Sequence, residues 1–184
     1  MTAQKDRLEH DHGELDRLLD TALASLASNE PGASLNDLDL FWARLGIHIR
    51  AEHLHLFPML LDKALAAGAD DTTSPVYKLP ELIPKLRRDH DFFVVEIGKC
   101  VNRLRQIVTD ADADGSVFRE IENMLEAVAA RLKIHNQIEE RDIYPLAGKL
   151  LTAAENDQLA QMVEKELANL PPRFRIQNAA ATHE

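Results

Sequence analysis

The chain has 184 residues, with 31 acidic against 21 basic and a formal net charge of −10. A chain this acidic, without a basic stripe, is a poor match for a phosphate backbone, so no nucleic-acid partner is expected. The single cysteine, Cys100, excludes an internal disulfide framework, and no apolar run approaches the about 18 residues of a membrane span.

Few glycines, few prolines and an aromatic content of 5% favour helices over sheets. The N-terminal stretch MTAQKDRLEHDHGELDRLL carries charge throughout and has no apolar signal core, so a cytoplasmic location is expected. Residues 3 to about 27 read as a first amphipathic helix, because Leu8, His12, Leu15, Leu19, Ala22 and Leu26 recur at alternating steps of four and three. SNEPGAS at 28–34 breaks it. Ser34 and Asp37 make a start signal for a second helix, which runs to about Gly68 with an expected kink at Pro58. A polar loop, GADDTTSP, covers 68–75. A third helix runs from about Pro80 to Thr109, a turn follows at 110–116, and a fourth helix continues to about Leu150. Thr152 and Glu155 form a capping box that opens a short fifth helix reaching Leu170.

These elements predict an all-α fold: an up-and-down four-helix bundle with a short extra C-terminal helix packed outside it. One domain is expected over 1–170, with 171–184 as a loosely ordered tail. Cys100 falls at an inward helical position and reads as a buried core residue.

The chain is internally duplicated. A shift of 87 positions lays HIRAEHLHLFPML at 48–60 on HNQIEERDIYPLA at 135–147. His48 falls on His135, Glu52 on Glu139, Phe57 on Tyr144 and Pro58 on Pro145; upstream, Leu38, Phe41, Arg44 and Leu45 fall on Leu125, Val128, Arg131 and Leu132. A shift of 78 lays the first helix on the third, with Asp11 on Asp89, His12 on His90, Leu15 on Phe93 and Leu19 on Ile97. The bundle is thus two helical hairpins, each with Asp-His on its first helix and H-x-x-x-E on its second.

Residues i and i+4 lie about 40° apart around a helix and about 6 Å apart along it. His48 with Glu52, and His135 with Glu139, can therefore each reach one interior point, while His12 and His90 take inward places on the other helices. Burying four imidazoles and two carboxylates uncompensated would cost several kcal/mol each, and a pair of divalent metals removes that cost. A single H-x-x-x-E is common as an ordinary surface pair; six residues at matched phases in two hairpins are not. The same phases put His10 and His53, whose repeat partners are Arg88 and Glu140, on the solvent side. His55 falls near the mouth of the site, where it is expected to pair with Asp142, its repeat partner, outside the ligand set. Asp11 and Asp89 are open to two readings, as groups orienting the imidazoles or as surface charge.

The pattern H…H-x-x-x-E…H…H-x-x-x-E, with LFP or IYP after each glutamate, resembles the hemerythrin-like family of the bacterial HHE cation-binding type, over residues 12–145. The resemblance implies two iron ions in a non-haem di-iron centre inside a four-helix bundle, with bridging carboxylates and a bridging oxygen. His12, His48, Glu52, His90, His135 and Glu139 are the implied ligands. A mixed nitrogen and oxygen donor set also suits manganese or zinc. Oxygen-carrying hemerythrins have a fifth histidine, spaced H-x-x-x-H on the third helix, and end their ligand set with H-x-x-x-x-D. Here Leu86 and Val94 flank His90 at those spacings and the last motif is H-x-x-x-E, so the carrier role does not transfer whole. The expected function is binding of dioxygen or a related small diatomic or peroxide-type ligand, or sensing of iron or redox state. The alternative is an enzyme acting on peroxide, oxygen or nitric oxide, or an iron donor for cluster repair. The sequence leaves the ligand and the oligomeric state open, including self-association.

Overall fold

The computed structural model describes residues 3–66, 75–109 and 115–174. Among them the chain is helical, without strands. Helix α1 spans Ala3–Ala27, α2 Pro31–Ala51, α3 Phe57–Ala66, α4 Leu79–Thr109, α5 Gly115–Ile138, α6 Tyr144–Leu150 and α7 Ala153–Leu167. A π-helical turn, Glu52–Leu56, joins α2 to α3, and a second, Glu139–Ile143, joins α5 to α6. Each α–π–α run is one long rod, so four rods make the bundle, as the periodicity predicts. α1 packs on α2 and α5, and α4 packs on α2 and α5, which closes the ring; α7 lies outside against α1 and α2. The loop expected at 68–75 and the turn at 110–116 fall largely outside the described residues.

Two local differences from the sequence reading have physical causes. The break after α1 is shorter than SNEPGAS. Asn29 takes a left-handed conformation (φ 59°), and the amides of Asn29 and Glu30 return to the carbonyls of Leu26 and Ser25. That is a Schellman closure with asparagine in the usual glycine place. Pro31, its φ preset for a helix and its missing N–H unneeded there, then starts α2 at once. Ser34 is therefore a buried residue inside α2 and not its cap.

The kink expected at Pro58 takes a different form. Proline lacks the amide for an i→i−4 bond and its ring crowds that carbonyl. The backbone widens before it: the amide of Phe57 bonds to the carbonyl of Glu52, five residues back, and Tyr144 does the same to Glu139. Both π turns begin at a glutamate of H-x-x-x-E and are closed by the amide of the aromatic residue before proline.

The core is in two parts separated by a polar layer. On one side Leu15, Leu19, Phe41, Leu45, Phe93, Ile97, Leu125 and Leu132 pack together. On the other, Leu8, Leu56, Phe57, Leu60, Leu86, Ile143 and Tyr144 pack with Leu159 and Val163 of α7. Every inward stripe crosses both clusters, with a histidine between them: His12 lies between Leu8 and Leu15, and His90 between Leu86 and Phe93. Cys100 is fully buried in the first cluster, where burial pushes its thiol up to about 11.

The capping box that opens α7 is present. Glu155 N–H donates to Thr152 Oγ1 at 3.3 Å, and Thr152 N–H donates to Glu155 Oε2 at 2.8 Å. Thr152→Ala should cost about 1 kcal/mol, read as a lower urea midpoint, since only the cap is lost from an exposed position. Beyond α7, Leu170 and Phe174 are buried with Ile47 of α2 in a small third cluster. Residues 175–184 lie outside the described set. The charged stretch at 164–166 ties α7 to the bundle through Glu164 to Arg7 and Glu166 to Arg50.

Candidate metal centre

All six residues singled out by the repeat lie in the polar layer. His12, His48, His90 and His135 are 2–3% exposed, and Glu52 and Glu139 are 0%. The histidines meet in two pairs. His12 Nε2 is 3.1 Å from His48 Nε2, and His90 Nε2 is 2.8 Å from His135 Nε2. Each pair comes from one hairpin.

The outer nitrogens decide what these contacts mean. Every Nδ1 faces an acceptor: His48 faces Asp11 at 2.9 Å, His135 faces Asp89 at 3.5 Å, His12 faces Glu140 at 2.8 Å and His90 faces His53 Nε2 at 2.9 Å. With the proton on Nδ1 donated outward, each Nε2 presents a lone pair. Two lone pairs aimed at each other at about 3 Å repel, and a cation between them turns repulsion into ligation.

The glutamates join the pairs. Glu139 Oε1 is 3.0 Å from His135 Nε2 and 3.5 Å from His90 Nε2, while its Oε2 is 3.4 Å from His12 Nε2. Glu52 Oε2 is 3.3 Å from His90 Nε2, and its Oε1 is 3.8 Å from His48 Nε2. Each carboxylate thus gives one oxygen to each side. Glu52 Oε2 and Glu139 Oε1 are buried and have no hydrogen-bond donor. His12, His48 and Glu139 can gather their donor atoms on one ion, and His90, His135 and Glu139 on another. The donor set fits two metal ions with two histidines each.

Protons take up part of the charge when metal is absent. Burial and the charge of Glu139 hold the Glu52 carboxyl well above its usual range. Burial pushes Glu139 the same way, but His135, His12 and His90 overcome it and hold Glu139 well below. Burial opposes the His12 imidazolium, yet hydrogen bonds to Glu139 and Glu140 raise it to about 10; burial lowers His90 to about 4. Metal uptake must therefore release protons. The sign follows for the metal-free protein: a raised folded-state value stabilises fully below the unfolded value near 6.5 and is lost as pH rises through about 10. The stability gap between the parent and His12→Gln, both stripped of metal, should be widest below about pH 6.5 and shrink toward pH 10. Urea midpoints across that range measure it.

The structure also places groups that the sequence reading missed or misplaced. His53 is not on the solvent side: it is half-buried with its ring on His90. An α-helical turn would leave it on the solvent side, and the π turn at Glu52 rotates it inward. Glu140 reaches His12 for the same reason. Asp11 and Asp89 orient imidazoles, but across the hairpin and not on their own neighbours, and each is held by an arginine. Arg44 Nη2 lies 2.6 Å from Asp11, and Arg131 Nη2 lies 2.5 Å from Asp89. Arg44 and Arg131 are visible as repeat partners, which was the signal available. Tyr144 is the other omission. Its hydroxyl donates to Glu52 Oε1 at 2.8 Å and lies 3.0 Å from His12 Nε2. Phenylalanine at the matching position 57 was the clue that this hydroxyl is particular to one half. His55 does not meet Asp142: it lies 3.7 Å from Glu166 of α7, while Asp142 pairs with Arg141. His10 is exposed, as expected.

The family model for the hemerythrin HHE cation binding domain matches residues 5–147. The chain belongs to the hemerythrin HHE family. No curated protein and no solved structure matched in the corresponding comparisons. Hemerythrin membership together with the two His/Glu groups implies binuclear metal binding. Within this hemerythrin-family bundle, the two positions where oxygen carriers would offer a further histidine do not serve the site. Val94 is 36% exposed, and Leu86 is buried in the second apolar cluster. Among the described residues no helix is long and apolar enough to cross a membrane.

Proposed function

We propose that this protein carries a non-haem di-iron centre on His12, His48, Glu52, His90, His135 and Glu139, and uses it to bind dioxygen or a related small ligand, or to sense iron or redox state. One observation carries the reading: four Nε2 atoms converge in two pairs while every Nδ1 is engaged outward, with both glutamates spanning the pairs. Each metal would be held by two histidines and a share of two carboxylates. That is four protein contacts, which leaves coordination places for solvent oxygen and an external ligand. Iron is favoured by family membership; the thiolate-free donor set itself also accommodates manganese or zinc.

Tyr144 favours the second, enzymatic reading, turnover of peroxide, oxygen or nitric oxide. It is a buried O–H within hydrogen-bond reach of both a glutamate and a histidine of the site, placed to give a proton to a bound ligand. Elemental analysis of anaerobically purified protein, with optical spectra before and after air, tests the proposal. Two irons per chain and a spectral change reversed by removing oxygen support binding. Sustained consumption of the added ligand supports catalysis. Iron-free protein that takes up none on loading rejects both.

A further inference from the structure

The two metal positions have the same ligands but different supports. Under the repeat, residue 53 falls on residue 140 and residue 12 on residue 90. The structure keeps that relation: Glu140 Oε1 is 2.8 Å from His12 Nδ1, and His53 Nε2 is 2.9 Å from His90 Nδ1. One ligand imidazole therefore donates to a carboxylate and its counterpart donates to an imidazole. The second support in each half adds to the difference, since Asp11 lies 2.9 Å from His48 but Asp89 lies 3.5 Å from His135.

A carboxylate accepting the N–H makes the ligating nitrogen more basic and adds negative charge beside the cation; a neutral imidazole does only the orienting. Arg44 and Arg131 each pair with the aspartate of their own half, so the carboxylate that accepts from a ligand imidazole in one half and is replaced by an imidazole in the other is Glu140. Tyr144 donates to Glu52 Oε1, the oxygen on the His48 side, and so works against the charge of Glu140. It is a neutral donor on one shared carboxylate and offsets only part of a full charge.

We propose that Glu140 and His53 are positioning residues that make the two metal positions unequal: the His12–His48 position binds a divalent cation more tightly and fills first, and the His90–His135 position is the weaker, exchangeable one. This rests on the six-residue ligand set proposed above.

Cobalt(II), added anaerobically to the full metal-free chain, tests the inference without any activity assay. At one cobalt per chain, anomalous scattering should place most of the metal at His12–His48, and the binding isotherm should show two steps separated by about tenfold or more. In the exchanged variant His53→Glu/Glu140→His the order should reverse. If that variant does not fold, Glu140→Gln, which keeps the shape and an acceptor but loses the charge, should bring the two steps together. Equal occupancy in the parent, or an unchanged order in the exchanged variant, overturns this inference alone. Failure of cobalt to bind at these six residues overturns the ligand set and the inference with it.

Discussion

Glu52→Gln is expected to empty both metal positions at once. The reason is geometric. Glu52 offers Oε2 toward His90 and Oε1 toward His48, so it belongs to both sides of the layer. An amide keeps the shape but removes the negative charge and replaces one acceptor with a donor aimed at a cation. Glu139→Gln should act in the same way, because its oxygens divide between His135 and His12. Each should reduce bound metal from two ions per chain to a small fraction, a loss of at least about tenfold in affinity at both positions. His12→Ala removes a group that serves one side only, so it should empty the His12–His48 position first. His10→Ala, exposed and away from the layer, should keep the parent stoichiometry. Metal per chain under one loading condition measures all four. Loss of a single ion in Glu52→Gln, with the second held at parent affinity, would show that Glu52 does not bridge.

The fold and the inward residues of the site were legible because both follow from a regular helical phase. The stripes through Leu8, Leu15 and Leu19, through Leu38 and Leu45, and through Leu125 and Leu132, are buried throughout. His48 precedes the π turn and Glu52 opens it, so α-helical spacing places both correctly. Past that point the rule fails. Pro58 and Pro145 announced a disturbance, but its form, a widened turn that carries His53 and Glu140 toward the imidazoles, depends on how each backbone satisfies its amides. The pairing of Asp11 with His48 and Arg44 was hidden for another reason. The partners sit on a neighbouring helix, and one-helix spacing says nothing of pairing across a hairpin. Tyr144 needed both kinds of knowledge, since it reaches Glu52 from the far rod after its own π turn.

Removing the metal should lower the thermal midpoint by about 5–10 °C or more. A ligand that binds only the folded state, at about 100 times its dissociation constant, stabilises it by about 2.7 kcal/mol. For a chain of this size each kcal/mol moves the midpoint by about 2–4 °C. That holds for one occupied position, and a second adds to it. The polar layer crosses all four rods between the two apolar clusters, so weakening it loosens the whole bundle and not one loop. Protons soften the loss at neutral pH: His12 is held charged to about 10 and Glu52 is held protonated, so the stripped layer is not left with two bare carboxylates. That compensation fades as pH rises, because the raised His12 value contributes stability only until its proton leaves near 10. Metal binding strengthens over the same range, since fewer protons compete for the histidines. The gap in midpoint between loaded and stripped protein should therefore widen from pH 7 toward pH 10 and close in acid, where protonated histidines release the metal. Calorimetry on both forms, with chelator removed after stripping, reads the gap directly. Equal midpoints for the two forms at every pH would mean that this layer holds the bundle together by its own hydrogen bonds, with no help from a metal.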